Sequence, residues 1–221
     1  MQKLSYLLLV LLGLIVACGP AAQEQSRQPA NYSIEQFYEN SRIYGGAFSP
    51  DENKLLVSGD ESGIFNVYEI DLASGTKSQI TNSTVDSYYA VDYVPGTDQL
   101  LYSADSGGNE ISQLYLLSAD GTSTNLTPGV EEKANFAGWS RDKQHMRYFS
   151  NKRDARYFDL YEMKVGDWEP TMIYENADGL DISGMSHNKN FFVLSRTITT
   201  SENSLYLHNN TTGERIELST E

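Results

Sequence analysis

A unit of about 45 residues that recurs four times restricts this chain more than any other feature, because repeats of that length must bury their apolar faces against one another. The units open at Ala47-Phe48-Ser49-Pro50-Asp51, Asp92-Tyr93-Val94-Pro95-Gly96, Gly138-Trp139-Ser140-Arg141-Asp142 and Gly184-Met185-Ser186-His187-Asn188. Phe48, Tyr93, Trp139 and Met185 mark one position in all of them. Behind each marker come a turn, an apolar run, a polar hairpin, an alternating strand bearing an aromatic, a Gly or Asn turn, and a short last strand. Alternation over such short runs is strand periodicity, and Gly beside Asp or Asn supplies the positive φ of tight hairpins. The expected fold is all-β: a β-propeller with four four-stranded blades, at about 42–82, 88–128, 134–175 and 181–219. A β-sandwich also has many short strands, but regular spacing of whole four-strand units favours the propeller. Helix is expected only ahead of the first blade, where Ser33-Ile34-Glu35-Gln36 forms a capping box.

The front of the chain is of a different kind. Lys3 precedes a Leu-rich uncharged run ending in Ile15-Val16-Ala17-Cys18, the pattern of an export signal over 1–18. A small residue before a lone cysteine resembles the bacterial lipobox, which makes Cys18 the expected lipid-attachment residue and membrane anchor. The expected location is the bacterial cell envelope, lipid-anchored and facing the periplasm. Residues 19–31 are polar and Pro-bearing, so they form a tether, and 32–221 remain for the propeller. Cys18 is the only cysteine, which excludes an internal disulfide. A formal charge of −14 argues against nucleic acid as a partner.

Ser49-Pro50-Asp51 at a blade opening resembles the repeats of TolB-type propellers and of the propeller in prolyl oligopeptidase-family serine peptidases. The runs Gly63-Ile64-Phe65-Asn66-Val67-Tyr68, Gly107-Gly108-Asn109-Glu110 with Gln113-Leu114-Tyr115, and Ser150 to Tyr161 resemble the N-terminal half of an exported bacterial member of the peptidase family. That resemblance implies seven or eight blades set over an α/β-hydrolase domain, whose Ser, Asp and His lie beyond this sequence. It implies as partners the absent hydrolase domain and a peptide substrate, with the propeller limiting access to the catalytic chamber and providing a docking surface. No Gly-x-Ser-x-Gly elbow occurs here. A free-standing TolB-like propeller lipoprotein that binds a protein or peptide is the alternative.

No catalytic, metal or cofactor site is expected within these residues. Ser186 beside His187 lacks an orienting carboxylate and oxyanion donors. His145, His187 and His208 show no paired ligand spacing, and Asp105 to Glu110 lacks the order of a calcium loop. Arg153 and Arg156 break an otherwise acidic chain. They are candidates for contact with a peptide carboxylate, or for structural pairing with Asp154 and Asp159. Most Tyr and Phe fall at alternating strand positions, where they fill space between blades.

Overall fold

The computed structural model describes residues 30–219. Cys18, the expected export signal and nearly all of the expected tether lie outside the described residues. The chain divides into a unit up to Asn40 and a unit from Ser41 onward. The first carries helix α1 (Ile34–Tyr38). Its capping box forms as expected: the Ser33 hydroxyl accepts from the Gln36 amide, and the Gln36 side chain accepts from the Ser33 amide at 2.9 Å.

The second unit is four sheets, each a simple antiparallel meander. Blade 1 holds β1 (Ile43–Phe48), β2 (Lys54–Gly59), β3 (Asn66–Asp71) and β4 (Lys77–Gln79). Blade 2 holds β5 (Tyr88–Tyr93), β6 (Leu100–Ala104), β7 (Gln113–Leu117) and β8 (Ser123–Asn125). Blade 3 holds β9 (Ala134–Trp139), β10 (His145–Asp154), β11 (Tyr157–Lys164) and β12 (Pro170–Tyr174). Blade 4 holds β13 (Asp181–Met185), β14 (Phe191–Thr199), β15 (Glu202–Asn209) and β16 (Arg215–Glu217). In every blade the register slips once between the first and second strands, at Tyr44/Ala47, Ala90/Asp92, Arg147/Tyr148 and Ile182/Gly184. A bulge at the same place in each repeat bends the first strand and increases its twist.

The apolar residues of the second and third strands alternate between two faces, so each sheet has something to bury on both sides. They are buried between blades. Leu56 and Val67 of blade 1 pack on Tyr93, Leu100, Tyr102 and Leu117 of blade 2. Leu101, Leu114, Leu116 and Leu126 of blade 2 pack on Met146, Tyr148, Tyr161 and Met163 of blade 3. Leu160 and Tyr174 of blade 3 pack on Phe192 and Leu194 of blade 4. Aromatic rings fill much of this space: Tyr88, Tyr102 and Tyr115 stack in series, with centroids 4.8 and 5.0 Å apart.

A buried polar residue at or near the start of the third strand holds the connector to the following blade in blades 1 to 3. Asn66 is fully buried. Its Oδ1 accepts from the Thr81 hydroxyl at 2.9 Å and the Ser83 amide at 2.8 Å, while its Nδ2 donates to Ser62 Oγ and the Ser83 carbonyl. The Thr81 hydroxyl accepts in turn from the Val67 amide. In blade 2 Gln113 occupies this place and donates to the Gly129 carbonyl, with Thr127 accepting from the Leu114 amide. In blade 3 it is Asp159, which accepts from the Asn176 amide at 2.7 Å. Asn66→Ala leaves the Thr81 hydroxyl and the Ser83 amide without their buried acceptor. The expected result in urea unfolding is a loss of about 2–3 kcal/mol with the slope unchanged.

Candidate functional site

The turns that open the blades carry the Ser-x-Asp signature, and their side chains are committed to holding the turn. In blade 1 the Ser49 hydroxyl donates to Asp51 Oδ1 at 2.6 Å and accepts from the Lys54 amide at 3.0 Å. Ser140 does the same with Asp142 and the His145 amide, and Ser186 with Asn188 and the Phe191 amide. The fourth residue of each turn, Glu52, Lys143 or Lys189, has φ between 57° and 63°. Blade 2 solves the same problem differently. Val94-Pro95-Gly96-Thr97 forms a type II turn, with Gly96 at φ 73° and the Thr97 amide donating to the Val94 carbonyl. Ser186 thus holds its turn, and His187 is an exposed turn residue beside it.

The polar run from Asn151 to Arg156 has the composition of a hairpin loop, yet most of it is strand. β10 runs on to Asp154, which pairs with Tyr157, so the turn proper is Ala155-Arg156. The cause is Arg153. Its Nε and Nη2 grip both oxygens of the fully buried Asp159, at 2.7 and 2.9 Å, and Nη2 also donates to the Asn176 carbonyl at 3.0 Å. The Asp159 hydrogen bonds raise the Arg153 pKa further above its ordinary value. Arg156 forms a second two-toothed pair with Asp154, at 3.0 and 2.7 Å, and lies over the Tyr157 ring. These bonds, Arg156 first, hold the Asp154 carboxyl well below the usual carboxylate range. The Arg156 side chain remains 73% exposed. It stands at a cavity of about 290 Å³ between blades 3 and 4, whose walls include Phe149, Tyr157, Leu180 and Ile182.

The remaining candidates fall into place around these features. In the Asp105 to Glu110 hairpin, Asp105 accepts from the Glu110 amide and Asn109 from the Ile111 amide, so those oxygens serve the loop itself. His208 lies edge-on to Tyr174, and burial lowers its pKa. His145 and His187, far apart in sequence, line one cleft between blades 3 and 4. Among the described residues no three His, Cys, Asp or Glu side chains gather as a metal-binding set. The buried polar anchors Asn66, Gln113 and Asp159 were missed in the sequence. The signal was available: each stands two residues before the Tyr of the third strand, at Tyr68, Tyr115 and Tyr161.

The turn chemistry has an acid-range consequence. Hydrogen bonds from the Ser49 hydroxyl and from Asn53 lower the Asp51 pKa to about 2. A carboxyl lowered on folding stabilises fully above its unfolded pKa of about 3.9 and loses that contribution as the pH falls through its folded value. Asn188 shows that asparagine fits this turn. Asp51→Asn is therefore expected to fold, and to lose less stability than the parent chain between about pH 4 and pH 2, as read by urea midpoints across that range.

No protein-family model matches the chain. Over 161 residues it is 28% identical to dipeptidyl aminopeptidase BIII of Pseudoxanthomonas mexicana, a match that covers 72% of this chain and 23% of that protein. It is 29% identical over 94 residues to the Tol-Pal system protein TolB of Hamiltonella defensa, covering 42% of this chain and 21% of the relative. The chain thus spans less than a quarter of the curated relatives it matches. Among solved structures it superposes on TolB from Acinetobacter baumannii with a TM-score of 0.56 at 18% identity, covering 81% of this chain and 44% of that one. Dipeptidyl peptidase 4 of Porphyromonas gingivalis gives 0.55 at 14%, covering 81% and 26%. Oligogalacturonate lyase of Vibrio parahaemolyticus gives 0.58 at 15%, covering 82% and 55%, so this fold also serves other chemistry. The chain has the β-propeller fold, and over that fold it is similar to TolB, to dipeptidyl aminopeptidase BIII and to dipeptidyl peptidase 4.

Proposed function

We propose that this chain is the non-catalytic, substrate-gating and docking portion of a lipid-anchored envelope serine peptidase of the prolyl oligopeptidase type, whose hydrolase domain is supplied by further sequence. One observation carries the reading: the outer face of blade 4 repeats apolar positions that the earlier blades bury fully or in part. Val67, Leu114 and Leu160 occupy one such position and are 0%, 1% and 3% exposed, whereas Leu205 is 39% exposed. Leu126 is buried where Leu218 is 50% exposed, and both make the same backbone bond to the third strand. Ile216, in register with Leu207 and Val193, extends the apolar face. A face of this composition is suited to covering by a fifth blade. Ser219 supports that continuation, because its hydroxyl accepts from the Leu205 amide as Thr81 and Thr127 do at the exits of blades 1 and 2.

The peptidase relative, with 28% identity across most of this chain, supports the parent activity. The export signal and Cys18 support the envelope location. TolB-like binding of a protein or peptide by a free-standing propeller is the alternative, supported by the similarity to TolB. In the peptidase reading, Arg153 serves by positioning the hairpin, and Arg156 meets the carboxylate of a peptide. An exposed ion pair such as Arg156 with Asp154 is weak enough to exchange partners.

Antibody capture of the native protein from its own cells, followed by intact-mass measurement and labelling with a fluorophosphonate, tests the reading. The expected product is far larger than 221 residues, carries lipid on Cys18 and is labelled at one serine outside this sequence. A product no longer than this chain, unlabelled, overturns it. In peptide-binding measurements, Arg156→Ala is expected to weaken capture of peptides with a free C-terminal carboxylate by about tenfold and to leave amidated peptides unaffected.

A further inference from the structure

Between blades 3 and 4, at the end where the blade-opening turns lie, a cleft of about 420 Å³ is lined by Arg141, Asp142, His145, Arg147, His187 and Lys189. Cations gather here in a chain whose formal charge is −14. The repeat-related cleft between blades 1 and 2, of about 680 Å³, has Asp51, Glu69 and Asp98 beside a single Lys54. Counting along the shared turn, Arg141, His145, Arg147, His187 and Lys189 correspond to Pro50, Lys54, Leu56, Pro95 and Thr97. All of these places but that of His145, which Lys54 takes, are uncharged in the blade 1–2 cleft, so the turn folds without such charges there.

The nearby carboxylates leave much of this cationic character unanswered. Asp142 is occupied by the Ser140 hydroxyl and the Gln144 amide. Glu162 takes the Lys189 ammonium on one oxygen. Its other oxygen is 3.9 Å from Arg147 Nε, an ion pair with no hydrogen bond to either buried atom, so one carboxylate serves two cations. Among the described residues, the side chains of Arg141, His145 and His187 make no hydrogen bond or ion pair. Two Arg forks, a Lys and two imidazoles on converging elements match the oxygens of carboxylates or phosphates, and the volume suits one small molecule.

We propose that this cleft binds a small polyanion through carboxylate or phosphate oxygens, independently of any peptidase role. The full chain in detergent would be titrated calorimetrically at low ionic strength with citrate and, separately, with pyrophosphate. Saturable one-to-one binding of either is expected, and which one binds identifies the chemical class. Arg141→Ala with His187→Ala, both on the exposed surface of turns, is expected to weaken that binding about tenfold or more without moving the urea midpoint. Arg196→Ala, which removes a charge from an exposed position of β14, is expected to leave it unchanged. The proposal is overturned if neither probe gives saturable heat, or if Arg196→Ala weakens binding as much as the double variant.

Discussion

Everything else in this molecule depends on the packing of one sheet face against the next. A lone four-stranded meander of these residues has two half-apolar faces and no interior of its own. It becomes stable only when Leu56 and Val67, or Leu101 and Leu114, or Leu160 and Tyr174, meet the following blade. Directional bonds then set how the blades sit. The Ala90 amide donates to Ser58 Oγ, the Tyr93 hydroxyl to Glu69, and the Trp139 indole to Asp92. Apolar burial supplies the drive, and these few bonds across the interfaces select one geometry.

The two kinds of polar device divide the work by location. At one end, Ser-x-Asp turns fold on themselves and so leave the neighbouring side chains free to vary, which is how equivalent clefts come to carry opposite charge. At the other end, Asn66, Gln113 and Asp159 are sealed inside, each bonded to the chain on its way to the next blade. Arg153 belongs with the second group. Its guanidinium completes the shell around Asp159, while Arg156, three residues on, is left in solvent.

The repeat, the strand order and the turn positions were legible in the sequence because they are local: period, alternation and turn residues act within a few positions of one another. The Ser49-Pro50-Asp51 signal was legible for the same reason. Asn66 and Asp159 were not, because a polar residue at the head of a strand reads as surface until its partners, seventeen residues onward, are placed beside it. The length of β10 was hidden likewise, since Asn151-Lys152-Arg153-Asp154 has the composition of a loop and becomes strand through the grip of Arg153 on Asp159. The meeting of His145 with His187 depends on two blades facing each other, and neither repeat records it alone.

Because every apolar core lies at a boundary between successive sheets, the four blades form a row of nearest-neighbour couplings instead of one shared interior. Blades 2 and 3 are clamped from both sides, while among the described residues blade 1 is clamped by blade 2 alone and blade 4 by blade 3 alone. Cooperativity in such a row is graded, and opening begins where there is one coupling to break. Among the described blades, amide exchange and proteolytic cutting therefore start at the two ends of the row and reach blades 2 and 3 last.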